Sequence, residues 1–189
     1  MRILPSRLKG VLLIVPDVYK DSRGFFLESY HAQRYQTAGI PGVFVQDNHS
    51  QSVQGTLRGL HAQLQHSQGK LVRVIHGEIY DVAVDARPGS STFKQWIGEK
   101  LTDENFHQLY IPPGFLHGFY VLSPVAEVEY KCTDYYDGKD EIGVVWNDPD
   151  LKIQWPVSSP QFLSEKDKNL PTLAELLPRL EPYRRFSPS

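Results

Sequence analysis

The chain is a succession of short apolar and aromatic segments separated by turn residues, and this pattern limits its possible folds more than any other feature. About ten such segments run from GVLLIVPDVY near the start to GVVWND, and they are rich in aromatic and β-branched residues. Strands that follow one another without intervening helices predict an all-β protein, built as an antiparallel sandwich or barrel.

The helical signals are few and short. Residues 30–38 predict one helix, with Gly39 as its C-terminal stop. Two more helix starts, both spaced like capping boxes, are predicted in the C-terminal part: Ser164 with Asp167, and Thr172 with Glu175.

Length and composition limit the domain organisation. With 189 residues, 40% of them hydrophobic, the chain suits one domain with a sizeable core. No linker or repeat interrupts it before about residue 178. We therefore expect a single domain over residues 1–178 and a loosely attached tail over residues 179–189.

Charge and hydropathy exclude several classes of protein. The net charge of −2 gives no basic field for nucleic acid. No apolar run is long enough to span a bilayer, and the early run Val11–Val15 is too short for a signal peptide. Cys132 is the single cysteine, so no intramolecular disulfide forms. These features predict a cytoplasmic protein that binds neither nucleic acid nor membranes.

The segment KLVRVIHGEIYDVAVDAR predicts a hairpin that places charged groups on an apolar face. A two-residue turn at Gly77 and Glu78 would pair His76 with Ile79, Val74 with Asp81, and Lys70 with Asp85. By alternation, one face then carries Lys70, Val72, Val74, Asp81 and Ala83. Charged groups on a partly apolar face need partners there.

Two neighbouring segments also direct polar groups inward. Arg58 and His61 have opposite parity, and a bulge at Gly59 would turn both towards one cavity. In AEVEYKCTD, Glu127, Glu129 and Lys131 alternate with Val128, Tyr130 and Cys132. Tyr130 therefore lies on the apolar face, where its hydroxyl needs a partner.

Each of these residues also has a purely structural explanation. Tyr130 is compatible with core packing, Asp167 with an ordinary helix start, and His117 with the end of a strand. Lys70 is compatible with a side chain that extends to solvent at a barrel rim, and the remaining histidines favour surface or structural positions: His31, His49, His66, His76 and His107. Convergence of Lys, His, Tyr and Arg in one barrel mouth favours a functional site instead.

A metal centre is the first alternative for such a barrel. Small barrels that bind metal often carry two histidines one residue apart, but here Gln63 stands where the second would be. His66 lies five residues after His61, and His61 with His117 alone forms a poor set of ligands for zinc or iron. The sequence therefore predicts no bound metal.

Several motifs, taken in order, resemble the dTDP-4-dehydrorhamnose 3,5-epimerase family. They run from about residue 10 to 175 and comprise DSRGFFLESY, FVQDNHS, TLRGLHAQ, QGKLVRVIHGEIYDVAVDAR, LYIPPGFLHGF, EYKCTDYY, VVWNDPDLKIQWP and LSEKDKNLP. The resemblance implies a cupin-type jelly roll that needs neither metal nor cofactor. It also implies a dTDP-linked 4-keto-6-deoxyhexose as substrate, and a homodimer formed through exchanged or extended strands.

The same resemblance implies roles for individual residues. His61 matches the general base, Asp167 the carboxylate that orients it, and Tyr130 the general acid. Lys70 matches the group that meets the enolate oxygen, with His117 nearby. Further positions match contacts to the nucleotide sugar: Arg23, Glu28, Gln46, Asp47, Asn48, Arg58, Glu141 and Lys166. Arg23 and Arg58 are the natural partners of a diphosphate.

The implied activity is inversion of C3 and C5 of dTDP-4-keto-6-deoxy-D-glucose, which gives the precursor of dTDP-L-rhamnose. One departure bears on this expectation, because Ala62 stands where the family usually has a large aromatic residue. A single-centre epimerase for another deoxysugar therefore stays open. The other alternative is a barrel that binds nucleotide sugars without catalysis, although binding alone needs no acid and base on opposed faces.

Overall fold

Two antiparallel β-sheets pack face to face in the computed structural model, which describes residues 1–40 and 43–186. The strands are β1 (Arg2–Pro5), β2 (Leu12–Val15), β3 (Val18–Asp21), β4 (Gly24–Leu27), β5 (Gln46–Val53), β6 (Leu57–Gln63), β7 (Lys70–His76), β8 (Glu78–Asp85), β9 (Trp96–Thr102), β10 (Gln108–Ile111), β11 (Phe115–Val121), β12 (Val125–Cys132) and β13 (Glu141–Gly143). The helices are α1 (Ala32–Thr37), α2 (Glu165–Lys168) and α3 (Leu173–Leu176), followed by 3-10 helices at Leu177–Arg179 and Glu181–Phe186.

The larger sheet has the strand order β1-β2-β10-β7-β12-β5, and the smaller one β13-β6-β11-β8-β9. Strands β3 and β4 form a separate hairpin. A shared core fills the space between the sheets, since one apolar cluster joins Val72 and Val128 of the larger sheet to Ala83 and Phe119 of the smaller one. This arrangement confirms the predicted all-β, antiparallel fold of the jelly-roll type.

The predicted hairpin between β7 and β8 is wrong. At Gly77, which has φ of +80°, the chain crosses from one sheet to the other. None of the three predicted pairs forms: Val74 lies opposite Val128, and Asp81 lies opposite Phe119 and Glu99. The physical reason is that each strand has a row of apolar side chains on one face. These two rows bury more apolar surface when β7 and β8 lie in facing sheets than when they pair side by side in one sheet.

The short helices form where the sequence indicates them. Helix α1 lies within the predicted range 30–38 and buries Tyr35, and Gly39 follows it with φ of +87°. The side chains of Ser164 and Thr172 cap α2 and α3 by accepting the backbone N–H three residues on. Among the residues that the structure describes, no helix has the length and apolar character needed to span a membrane.

The expectation of a loosely attached tail is wrong for residues 179–186. Leu180 and Tyr183 are completely buried and join the core cluster of α3. The Tyr183 hydroxyl donates to the backbone O of Gln63 at 2.6 Å, and the Arg87 guanidinium donates to the backbone O of Phe186 at 3.1 Å. These two buried side chains and two hydrogen bonds attach the segment to the barrel. Residues 187–189 lie outside the described residues.

Candidate active site

Two connected cavities open at one end of the barrel. The larger has a volume of about 820 Å³ and the smaller about 260 Å³. Three side chains line both cavities: His61, Lys70 and Tyr130. His61 belongs to β6 of the smaller sheet, whereas Lys70 and Tyr130 belong to β7 and β12 of the larger sheet. These groups therefore meet from opposite walls of the sandwich.

An irregularity in β6 turns Arg58 and His61 towards the same cavity. Along β11, His117 lies opposite His61 and Phe119 opposite Arg58, so β6 has one extra residue and the register shifts. Gly59 has φ of +114°, and a Cβ atom there would lie 2.6 Å from the Cα of Gly118, so only glycine fits. The predicted irregularity at Gly59 is confirmed.

Arg58 spans the mouth of the barrel. Its Nε donates to Ser52 Oγ at 3.0 Å, and Ser52 belongs to β5 of the opposite sheet. A terminal nitrogen donates to the backbone O of Gln51 at 3.4 Å, and the residue is exposed at the rim of the larger cavity. An exposed guanidinium at this position is suited to bind an anionic group of a ligand.

His61 forms a close pair with a buried carboxylate. His61 Nε2 lies 2.6 Å from Asp167 Oδ1, and the backbone N–H of Gly59 donates to Asp167 Oδ2 at 3.4 Å. Burial acts to raise the pKa of Asp167, but the hydrogen bond and charge of His61 hold that pKa below its ordinary value. With Nε2–H bound to a carboxylate, Nδ1 is the ring nitrogen left to exchange protons.

Lys70 and Tyr130 form the opposite wall. The Lys70 ammonium lies 5.8 Å from the centroid of the Tyr130 ring. Burial lowers the pKa of Lys70, and nearby thiol and carboxyl groups offset part of that shift. Burial raises the pKa of Tyr130, so its hydroxyl remains protonated at neutral pH. The wall thus presents an N–H donor beside a neutral O–H donor.

His117 forms a second histidine–carboxylate pair, deeper in the barrel. Its Nε2 lies 2.7 Å from Asp81 Oδ1, and both side chains are buried. The ring of His117 is 6.5 Å from that of Tyr130, measured between centroids. Sequence reasoning placed Asp81 inward but missed its partner, because that contact depends on the register of β8 against β11.

A polar network borders the smaller cavity. Lys166 Nζ lies 2.6 Å from Glu141 Oε1, and the Tyr136 hydroxyl donates to Glu141 Oε2 at 2.7 Å. Burial acts to raise the pKa of Glu141, but these two hydrogen bonds hold it below its ordinary value. Tyr136 was missed by sequence reasoning, although an aromatic residue just after the strand that carries Tyr130 was a usable signal.

The residues of β5 divide between two faces. Gln46 and Asn48 line the smaller cavity, and the Gln46 amide donates to Asn48 Oδ1 at 3.0 Å. Asp47 has the opposite parity, so its carboxylate points outward and pairs with Lys131 at 3.0 Å. The structure therefore does not bring the Asp47 side chain to either cavity.

Arg23 and Glu28 also lie away from the cavities within a single chain. Arg23 is at the tip of the β3–β4 hairpin, where it pairs with Asp21 at 2.6 Å. Glu28 pairs with Arg34 of α1 at 2.9 Å. Both side chains are exposed and line neither cavity, so within one chain they do not reach the positions expected of contacts to a nucleotide sugar.

No group of three or more His, Cys, Asp and Glu side chains within residues 1–40 and 43–186 is arranged to hold a metal ion. Gln63 instead uses its side chain to bind the backbone of neighbouring loops.

The fold and the cavity together define a cupin-type jelly-roll barrel whose mouth brings titratable histidine, lysine and tyrosine side chains together. The comparison with protein families then assigns the chain: a model described as dTDP-4-dehydrorhamnose 3,5-epimerase matches residues 5–175, and the chain belongs to this family.

Known relatives agree over nearly the whole length. A Pseudomonas aeruginosa protein named dTDP-4-dehydrorhamnose 3,5-epimerase is 54% identical over 169 residues, which cover 89% of this chain and 93% of that protein. A Legionella pneumophila 3,5-epimerase, crystallised with dTDP-4-keto-L-rhamnose, superposes with a TM-score of 0.92 at 49% identity and covers 95% of this chain and 96% of its own. A Streptomyces niveus protein that is 39% identical over 93% of this chain and 85% of its own length is named dTDP-4-dehydrorhamnose 3-epimerase.

Proposed function

We propose that this protein inverts C3 and C5 of dTDP-4-keto-6-deoxy-D-glucose to give dTDP-4-keto-L-rhamnose. The observation that carries the proposal is the placement of His61 and Tyr130 on opposite sheets of one cavity. Inversion next to a ketone requires a proton to leave one face of the carbon and another to arrive on the opposite face. A base and an acid on opposed walls meet that requirement.

His61 acts as the base in this proposal. Its Nε2 is held by Asp167 at 2.6 Å, which fixes the ring and leaves Nδ1 to take the proton from the carbon. Because the pKa of Asp167 is below its ordinary value, the carboxylate is charged at neutral pH and stabilises the imidazolium that forms.

The electrons left on the carbon move to the ketone oxygen as an enolate. Lys70 lines the cavity beside Tyr130, where its side-chain nitrogen can donate to that oxygen. His117 lines the same cavity with its Nε2 bound to Asp81, so it supplies a second donor, through Nδ1, when its ring is protonated. A positioned donor to such an oxyanion is worth about 3–4 kcal/mol. Tyr130, protonated because burial raises its pKa, returns a proton to the far face. His61 then releases its proton to solvent and Tyr130 takes one up, which restores the base and the acid, and the same steps at the second carbon complete the reaction.

The nucleotide has separate contacts along the cavity. Arg58 at the rim suits the diphosphate. Gln46, Asn48 and Glu141 supply hydrogen-bonding groups in the smaller cavity, and Lys166 lines the larger one. The Tyr136 ring is 58% exposed and borders the smaller cavity, where it suits stacking on a nucleobase.

We also propose a homodimer in which Arg23 and Glu28 serve the cavity of the partner subunit. The β3–β4 hairpin exposes a cross-strand aromatic pair, Tyr19 at 65% and Phe26 at 70%, which a partner surface would cover. Such an exchange accounts for the distance of Arg23 from its own cavity. The sugar-nucleotide substrate and the single cysteine accord with a cytoplasmic location.

Mixing two inactive variants tests the exchange. Arg23→Ala and His61→Ala each damage every site of their own homodimer. In a mixed dimer, however, one site combines the intact His61 of one chain with the intact Arg23 of the other. We expect activity to reappear on mixing after subunit exchange. A monomeric mass by light scattering, or no recovery from a mixture shown to contain mixed dimers, contradicts the proposal.

Proton NMR of dTDP-4-keto-6-deoxy-D-glucose with the enzyme in D2O tests the reaction. We expect deuterium at C3 and C5 and inversion at both carbons. Inversion at C3 alone would instead support the single-centre alternative, which the position of Ala62 in the smaller cavity beside His61 keeps open. Saturable binding without exchange would support a barrel that only binds the nucleotide sugar.

A further inference from the structure

The side chain of Gln63 uses both of its donor hydrogens and its acceptor oxygen on the two loops that border the smaller cavity. Gln63 ends β6, two residues after His61, and is buried. Its Nε2 donates to the backbone O of His66 at 2.8 Å and of Tyr135 at 3.1 Å, while its Oε1 accepts the backbone N–H of Asp137 at 2.8 Å. An amide offers two donor hydrogens, and both are occupied.

Two of these bonds lie on either side of Tyr136. The carbonyl before it and the N–H after it are both held by Gln63, and the N–H of Tyr136 itself donates to Gln46 Oε1 at 2.9 Å. The hydroxyl at the far end of the ring donates to Glu141. The ring is nevertheless largely exposed, so its position is set through the backbone and the hydroxyl and not by packing.

The same residue connects this loop to the rest of the barrel. The buried Tyr183 donates to the backbone O of Gln63 at 2.6 Å, and Asp140 at the far end of the loop accepts the N–H groups of Gln65 and His66. The loop over residues 133–140 is therefore attached at several points to the end of β6, the strand that carries His61, and to the residues that follow it.

We propose that Gln63 is a positioning residue that holds the loop over residues 133–140, and with it the ring of Tyr136, ready to receive the nucleobase. This rests on the proposed function, in which the smaller cavity takes the nucleotide. When the loop is already ordered in the free protein, binding does not have to order it, and the conformational entropy lost on binding is smaller. Loss of the three Gln63 hydrogen bonds should therefore weaken nucleotide binding more than it slows the chemical step.

Gln63→Met removes all three bonds at nearly constant size. We expect the Kd for dTDP, measured by calorimetry, to rise about tenfold, and KM for the sugar nucleotide to rise by more than kcat falls. Hydrogen exchange should show faster exchange at the amide of Asp137. Gln63→Glu, which keeps the acceptor and loses the NH2 group, should weaken dTDP binding as well and replaces the first variant if that one does not fold.

Thr92→Val is the matched control. The Thr92 hydroxyl also ties a loop to a strand, by donating to Asp85 Oδ2 at 2.6 Å, but it lines neither cavity. Its Kd for dTDP should stay at the wild-type value. Wild-type affinity in Gln63→Met, with the amide of Asp137 exchanging freely, would overturn the positioning role. Failure of the wild-type protein to bind dTDP would overturn the proposed function, and this role with it.

Discussion

His61 Nε2 lies 2.6 Å from Asp167 Oδ1 although 106 residues separate the two along the chain. The contact depends on how the segment before α2 is attached to β6. The N–H of Leu57 donates to the backbone O of Phe162, and Ser164 then caps the short helix that carries Asp167. Asp167 Oδ2 is also occupied, by the N–H of Gly59, so the carboxylate and the imidazole have one mutual orientation.

Asp167→Asn is expected to lower kcat/KM by at least about tenfold, because the amide no longer stabilises an imidazolium on His61. Steady-state kinetics on the 4-keto sugar nucleotide measures this effect. The KM should change much less than kcat, since Asp167 lies behind His61. A kcat/KM within about twofold of wild type, equivalent to under about 0.5 kcal/mol, would refute the orienting role.

The same carboxylate should affect stability in a defined pH range. The pKa of Asp167 is lower in the folded protein than its ordinary value. A carboxyl of this kind stabilises the fold above its unfolded pKa, near 4, and the contribution is lost as the pH falls through the folded pKa. We expect Asp167→Asn to have a lower Tm than wild type at pH 6, with the difference shrinking below about pH 4. A difference independent of pH would contradict the assignment.

Tyr130→Phe separates epimerisation from enolate formation. The variant keeps the base, the donors to the oxygen and the ring, and removes only the far-side proton. We expect solvent deuterium to enter next to the ketone, while inverted product falls by about 10²-fold or more, the usual scale for a positioned acid. His61→Ala should abolish both exchange and inversion. Inversion at nearly the wild-type rate in Tyr130→Phe would make Tyr130 a packing residue.

Local periodicity predicted much of the site. Alternation along β12 placed Tyr130 inward, and the opposite parity of Arg58 and His61 predicted the irregularity at Gly59. Both features depend only on the two-residue period of a strand and on the conformational freedom of glycine. The helix starts at Ser164 and Thr172 are equally local, since a capping side chain acts within a single turn.

Features that depend on distant pairing could not be predicted in this way. The turn sequence at Gly77 is compatible both with a hairpin and with a crossing between sheets, and only the packing of the inward rows decides between them. The pairing of His117 with Asp81 likewise depends on the register of β8 and β11. The position of Asp167 beside His61 was expected from the family resemblance alone, because local sequence indicates only a helix start.

Lys70→Met should separate activity from stability. Burial lowers the pKa of Lys70, so keeping its ammonium charged at neutral pH opposes folding. Met fills a similar volume without charge, so we expect the Tm of the variant to equal or exceed that of wild type. The kcat should nevertheless fall by about 10²- to 10³-fold, the usual effect of losing an oxyanion donor. A lower Tm together with unimpaired kcat would reverse both inferences.

Truncation and substitution in the C-terminal segment test its attachment to the barrel. Tyr183→Phe leaves the buried carbonyl of Gln63 without its donor, which should lower the free energy of unfolding by about 1 kcal/mol. Leu180→Ala removes a completely buried side chain and should lower it by about 2–5 kcal/mol. Urea unfolding followed by fluorescence measures both.

Arg184→Ala is the control for these two variants. The Arg184 side chain forms an exposed pair with Glu181, so its loss should change stability by less than about 0.5 kcal/mol. If removal of residues 179–189 leaves the unfolding midpoint unchanged, the segment contributes nothing to stability.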